Sequence, residues 1–195
     1  MRSSYIQNDY GKVLQLYVEG WIPINAVELG VLDGYSTVHI ARGFKNLDKV
    51  GVHKGFVTSY DLFEDYQYKH GKKEEVQNLI NKEELSDYAQ LKKGDAFKVH
   101  EEYEDGRVEF LHVDISNTGE IVEEIMRNWH PKMAPRGLVL IEGGSVERDE
   151  VDWMVQFNKS SIRKVINENP LITENYQCCT HLRFPSLTVL LRNWW

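Results

Sequence analysis

The chain has 195 residues, 42% hydrophobic and 27% charged, the makeup of a folded globular protein long enough to bury a core. Its net charge of −7 argues against a nucleic-acid-binding surface as the main business, and no apolar run approaches the roughly 20 residues of a membrane helix. The start, MRSSYIQNDY, lacks the apolar region of a signal peptide, and two adjacent cysteines, Cys178 and Cys179, make no disulfide framework. A cytoplasmic home is expected, with neither nucleic acid nor membrane as partner.

In chain order, residues 9–19 place Val13, Leu14, Leu16 and Tyr17 near helical spacing, and Gly20 can end that helix. Ala26–Gly30 is a short apolar strand, and Ser36–Phe44 a helix with Val38, Ile40, Ala41 and Phe44 inward. Phe56–Phe63 reads as a strand ending in acid, and Glu74–Leu85 as a helix on Val76, Leu79 and Ile80. YAQLKKGDAF gives a short strand and a turn, and VEFLHVDIS a nearly continuous apolar strand ending at Asp114. Gly119–Trp129 follows as a helix, with Ile121, Ile125 and Trp129 at four-residue steps. PRGLVLIEGG is a turn and a buried strand ending at Glu142; Asp149–Asn167 is predicted helical. YQCCTHLRF and LTVLLRN then form two strands around Pro185.

Strands apolar on both sides and alternating with helices predict an α/β fold, doubly wound, with a mostly parallel sheet. The last two strands are joined too tightly for a helical crossover, so a C-terminal antiparallel hairpin is expected. No Pro/Gly/Ser linker divides the chain, which reads as one domain over 1–195, with a helical cover at 1–22 and an α/β core at 23–195.

Glu28, Asp61, Asp114 and Glu142 fall at the ends of four different strands, the edge where open α/β sheets bind ligands. A single acid there is usually a surface or capping residue; four after otherwise apolar strands suggest a site. The phosphate-binding pattern G-x-G-x-x-G is absent, and Glu28-x-Gly30-x-x-x-Gly34 stands in its place. A fixed carboxylate before the first glycine suits a cationic or hydroxyl-rich ligand better than a phosphate.

VELGVLDGYST resembles the first motif of class I S-adenosylmethionine-dependent methyltransferases, close to the catechol O-methyltransferase version. YDLFEDY resembles the second motif, and its D-x-F-E form that of the macrocin O-methyltransferase group, which methylates sugar hydroxyls. KKGDAF matches the turn bordering the adenine, and FLHVDIS and PRGLVLIEGG the fourth and fifth strands; the likeness covers about Ala26 to Gly144. The resemblance implies a Rossmann-like methyltransferase fold and a cofactor site of Glu28, Gly30, Gly34, Tyr35, Ser36, Asp61, Leu62, Phe63, Gly94, Asp95, Ala96 and Asp114. Glu28 supports the methionine end, Tyr35 and Ser36 lie beside its carboxylate, and Asp61 accepts from the ribose hydroxyls. Asp114 is the expected catalytic residue, and the acceptor a small molecule, a sugar among the candidates.

Relatives that use a divalent metal often read H-[IV]-D-x-[DN]-H after the fourth strand and two acids after the fifth; this chain reads HVDISN and IEGG. Asp114 and Glu142 fit two metal ligands, Gly143 stands at the third, and Ser116 or Asn117 at the usual base position. A weak Mg²⁺ site of two carboxylates and waters is expected on that ground. His112 reads as a packed strand residue, His181 as exposed, and His130 as a helix-end residue. Cys178 and Cys179 read as one core and one surface position, and Trp194 and Trp195 as a docked tail or an oligomer contact, such as a homodimer. The alternatives to methyl transfer are a cofactor-binding protein without transfer activity and a nicotinamide-dependent oxidoreductase.

Overall fold

The computed structural model describes residues 1–194, so the expectation for Trp195 lies outside the described residues. The chain forms one compact unit over Met1–Ala96 and a second from Phe97 on. Strand order is β3-β2-β1 in the first unit, all parallel, and β4-β5-β7-β6 in the second, where parallel and antiparallel pairs are mixed.

In the first unit a 3-10 turn, Ser4–Asn8, leads into α1 (Tyr10–Trp21). Tyr10, Leu14 and Val18, four residues apart, form its buried stripe, whereas Leu16, one of the apolar residues near helical spacing, is 64% exposed. The helix also passes Gly20. Its stop is Ile22, which takes a left-handed conformation (φ 55°), donates its N–H to the Val18 carbonyl and precedes Pro23. β1 (Asn25–Leu29) follows, then α2 (Tyr35–Lys49), whose Val38, Ile40, Ala41 and Phe44 are all buried as the spacing requires. Two glycines admit the α1–α2 crossing: a Cβ on Gly43 would sit 2.8 Å from Val18, and one on Gly11 2.3 Å from the His39 ring.

β2 (Phe56–Asp61), α3 (Lys73–Lys82) and β3 (Ala89–Lys93) complete the unit, with β1, β2 and β3 mutually parallel. β2 stops two residues before the expected Phe63. There the Asp61 side chain accepts the Phe63 N–H at 2.8 Å and folds the chain into the 3-10 turn Phe63–Asp65.

The second unit opens with the 3-10 turn Val99–Glu102 and β4 (Val108–Val113). α4 (Gly119–Trp129) starts at Thr118, whose hydroxyl accepts the Ile121 N–H, and buries Val122, Ile125, Met126 and Trp129. β5 (Met133–Glu142) lies parallel to β4. The helix expected over Asp149–Asn167 is instead broken into α5 (Val146–Asp149), α6 (Asp152–Gln156) and α7 (Ile162–Glu168), followed by α8 (Pro170–Asn175). Asp149 is the cause: its carboxylate accepts the Ile162 and Arg163 N–H groups and the Ser161 hydroxyl, so it caps a new helix rather than continuing its own.

β6 (Tyr176–His181) and β7 (Leu187–Arg192) form the expected antiparallel hairpin, with β7 also antiparallel to β5. Cys178 and Cys179 are both exposed, which corrects the expected core and surface pair. Trp194 is exposed too, with the Arg136 guanidinium 4.4 Å from its ring centroid. His112 is fully buried in β4, as a packed residue would be.

Trp129 anchors this unit: it is fully buried, with the Tyr103 and His100 rings 5.4 and 6.3 Å from it. Trp129→Ala should cost about 3–5 kcal/mol in urea denaturation, the range for deleting a core aromatic. Leu16→Ala, on the exposed side of α1, should stay within about 0.5 kcal/mol of the parent.

Candidate active site

Asp61 is the last residue of β2, and its carboxylate holds the turn that follows β1. Oδ2 accepts the N–H groups of Val31 (2.7 Å) and Leu32 (3.1 Å), while Oδ1 accepts that of Phe63. The Asp61 carbonyl receives the Gly94 N–H at 3.0 Å, and the Gly30 N–H reaches the Tyr60 carbonyl at 2.9 Å. Gly30, Asp61 and Gly94 are thus joined at one strand-end edge, with Leu62 partly exposed and Phe63 fully buried. Asp95 and Ala96 follow Gly94, half-buried. A carboxylate offers about four lone-pair sites, and backbone amides take three of them here.

The glycine turn is shaped by what packs on it. Gly34 has φ +83°, and a Cβ there would meet Val76 of α3 at 2.6 Å; on Gly71 it would meet the Leu32 carbonyl oxygen. Arg2 adds a clasp that the sequence does not announce. Its guanidinium bonds both Asp33 oxygens (2.9 and 2.7 Å) and the His70 carbonyl (2.9 Å), and its own N–H also donates to Asp33. Those hydrogen bonds hold the Asp33 carboxyl below the usual carboxylate range.

Gly34 is the N-cap of α2 and supplies no side-chain oxygen to its first turn. The 15-residue helix therefore starts beside Tyr35 and Ser36 with backbone donors and the positive end of its dipole available to an anion. Glu28 is fully buried one residue before the end of β1, and its Oε2 accepts the Ser59 hydroxyl at 2.6 Å and that of Thr37. It pins β1 to β2 and α2 under the turn. This edge fits a ligand with a carboxylate for the helix start and hydroxyls for the remaining acceptor capacity of Asp61.

At the strand ends of the second unit the chemistry is different. Asn117, at the expected base position, is fully buried; its Nδ2 donates to the Val113 (3.1 Å) and Glu142 (2.9 Å) carbonyls. It ties β4 to β5, its Oδ1 accepts the Ile115 N–H at 3.4 Å, and an amide is not basic enough to take a proton from a substrate. Ser116 is exposed. Arg148 on α5 donates from Nε to Glu142 Oε1 at 2.6 Å and from Nη2 to Oε2 at 3.0 Å, with both side chains under a tenth exposed. Nη2 also reaches the Asn117 carbonyl at 3.4 Å, and the guanidinium lies 5.3 Å from the Trp153 ring centroid. Gly143 and Gly144, with φ +114° and +107°, make the reversal that brings Arg148 back to Glu142. Side chains there would collide with Ile162 and Thr188.

This corrects the expected Mg²⁺ site. Both Glu142 oxygens are held by a guanidinium, so Asp114 and Glu142 do not present paired ligands to a cation. Among the described residues no group of three or more His, Cys, Asp or Glu side chains could hold a metal ion. The residues present do not fit a divalent metal.

Burial, with the Asp114 charge adding to it, pushes the Glu142 carboxyl up to about 7 against the opposing pull of Arg148. An acid whose folded value is raised binds its proton more tightly in the native state, so its stabilising effect is greatest below its ordinary value of 4.5. That contribution should fall as pH rises from there through about 7. Melting temperatures of the parent minus those of Glu142→Gln should decline across that window; a flat difference would mean that Glu142 does not titrate there.

The Gly34 geometry gives a second prediction. Gly34→Val should weaken the fold by roughly 1–3 kcal/mol through overpacking against Val76. Gly34→Ala/Val76→Ala should recover the steric part in a denaturation series and leave the positive-φ strain.

Comparison with solved structures gives likeness of fold. An O-methyltransferase from Bacillus cereus in complex with SAH (S-adenosylhomocysteine) is 19% identical, with TM-score 0.65, over 98% of this chain and 84% of its own. An SAH-bound methyltransferase from Podospora anserina is 14% identical, with TM-score 0.70, over 100% and 80%. A methyltransferase from Geobacter sulfurreducens is 14% identical, with TM-score 0.69, over 95% and 78%. No curated protein matches the chain. The sequence profile described as a methyltransferase domain matches residues 27–142, from within β1 to the end of β5 and more than half of the chain. The chain belongs to that methyltransferase-domain family.

Proposed function

We propose that the chain is an S-adenosylmethionine-dependent methyltransferase that acts on a hydroxyl of a small molecule, with sugars the class suggested by its D-x-F-E motif. The observation that carries this reading is the start of α2, without a side-chain cap, beside the Asp61-held glycine turn. The α2 amides near Tyr35 and Ser36 would hold the cofactor's carboxylate, and the acceptor capacity left on Asp61 would take a ribose hydroxyl. Gly94, Asp95 and Ala96 would border the adenine. Glu28 acts from beneath, fixing the turn through Thr37 and Ser59. When bound, the cofactor supplies an electrophilic methyl group on a sulfonium. The protein's task is then to orient the partners in line and exclude water. The relatives with SAH bound support the cofactor assignment, and a profile match that runs through both units supports reading them as one domain.

A second reading, cofactor binding without transfer, is favoured by Asn117, whose side-chain amide is spent on two carbonyls where relatives place a base. Methyl transfer from labelled cofactor to a hydroxylated small-molecule panel, sugars included, separates the two readings.

Calorimetry with S-adenosylhomocysteine tests the cofactor itself. The parent should bind it, and Asp61→Ala should lose at least roughly 1.5–3 kcal/mol of affinity, the range for hydrogen bonds to a charged group, because it also releases the turn that Asp61 holds. Tight binding of NAD with none of S-adenosylhomocysteine would overturn the assignment.

A further inference from the structure

The strand ends of the second unit hold a cation of their own. Arg148 is 6% exposed and Glu142 4%, and the guanidinium meets the carboxylate through two hydrogen bonds at 2.6 and 3.0 Å. Such paired geometry fixes direction as well as charge. A guanidinium has five N–H donors. Nε spends its donor on Glu142, Nη2 spends its two on Glu142 and the Asn117 carbonyl, and Nη1 is buried with no partner. Asp114 is close enough for its charge to act on Glu142. A positive group thus stands against Glu142, one of the two acids that the metal-using pattern would give to an ion, and part of its hydrogen-bonding capacity is unspent.

We propose that Arg148 is the resident cation of this strand-end site: it excludes a divalent metal and offers its Nη1 donors to an oxygen of the methyl acceptor. The ligand class is a molecule with a hydroxyl or oxyanion next to the methylated position. Trp153 of α6 lies over the guanidinium, 5.3 Å from ring centroid to guanidinium carbon, and borders the space such an oxygen would enter. Arg148 is a specificity-determining residue here, since an Nη1 group held in place by the Glu142 fork selects oxygen geometry that a hydrated ion would tolerate more loosely. The proposal rests on reading this edge as the acceptor side of a methyltransferase.

The test needs neither cofactor nor acceptor, so its failure is separate from that of the cofactor assignment. Mn²⁺ is titrated into the full chain on the alkaline side of neutrality and followed by electron paramagnetic resonance, for the parent, Arg148→Ala and Arg148→Ala/Glu142→Gln. The parent should show no Glu142-dependent binding. Arg148→Ala should bind a single Mn²⁺, methylguanidinium should displace it, and the double variant should lose it. Glu142-dependent Mn²⁺ binding by the parent would overturn the proposal. So would a folded Arg148→Ala that takes up no ion, because the carboxylates would then not converge where the guanidinium sits. If Arg148→Ala does not fold, Arg148→Met is read in its place, and Arg148→Lys, which keeps the charge, should exclude Mn²⁺ as the parent does. A solute arm probes the oxygen site: acetate, titrated by calorimetry, should bind the parent through Nη1 and lose at least about tenfold in affinity in Arg148→Lys, which lacks the fork. Equal binding, or none to the parent, would remove the acceptor-oxygen half of the proposal.

Discussion

The first unit depends on one carboxylate accepting three backbone amides. Asp61 draws the N–H groups of Val31 and Leu32 to one oxygen and that of Phe63 to the other, so two loops from different strands share one anchor. Without it the glycine turn would have to satisfy its donors in water and would lose a defined shape. The rest of the edge follows from that anchor. Leu32 is placed so that only a glycine at 71 can pass it, Gly34 so that only a glycine can face Val76, and Asp33 so that Arg2 can reach it. A turn fixed in this way can present the amides of α2 to a ligand with little further ordering cost.

The second unit solves a related problem with opposite charge. A carboxylate as buried as Glu142 cannot stay ionised alone, and the nearby Asp114 makes matters worse. Arg148 compensates, but only because two consecutive glycines let the chain double back within six residues. Gly143 stands where the resemblance to metal-using methyltransferases places a third ligand. Backbone freedom and side-chain ligation are alternatives at this point, and this chain has taken the former.

Much of this was legible in the sequence. Apolar runs gave away the strands because a strand buried on both faces tolerates few polar residues, and an acid at the end of such a run stands out. Asp61 and Glu142 terminate their strands, Glu28 lies one residue inside β1, and Asp114 one residue beyond β4. The partners of those acids were not legible. Arg2 lies 31 residues from Asp33, and Ser59 lies 31 residues from Glu28. Such pairings are set by parallel strand register and loop path rather than by local pattern. Arg148 is close in sequence to Glu142, yet apolar spacing does not mark the turn that brings them together. The long helix expected over Asp149–Asn167 failed for a chemical reason: Asp149, Ser160 and Ser161 prefer capping to continuation, and apolar spacing carries no trace of that preference. The exposure of Leu16 was not legible either, since an isolated apolar residue on a helix gives no sign of which side its neighbours cover.

The Glu142–Arg148 pair also constrains how this sequence can change over descent. Replacing one partner leaves the other charge buried and uncompensated, a loss of about 3–5 kcal/mol, comparable to the whole stability margin of many domains. Replacing both with apolar residues of similar volume is close to neutral. Intermediate sequences are therefore the costly ones, and the two positions should be inherited as a unit, kept together or lost together. The glycines between them are held more tightly still, because a side chain there would meet Ile162 and Thr188 whether or not the pair is kept.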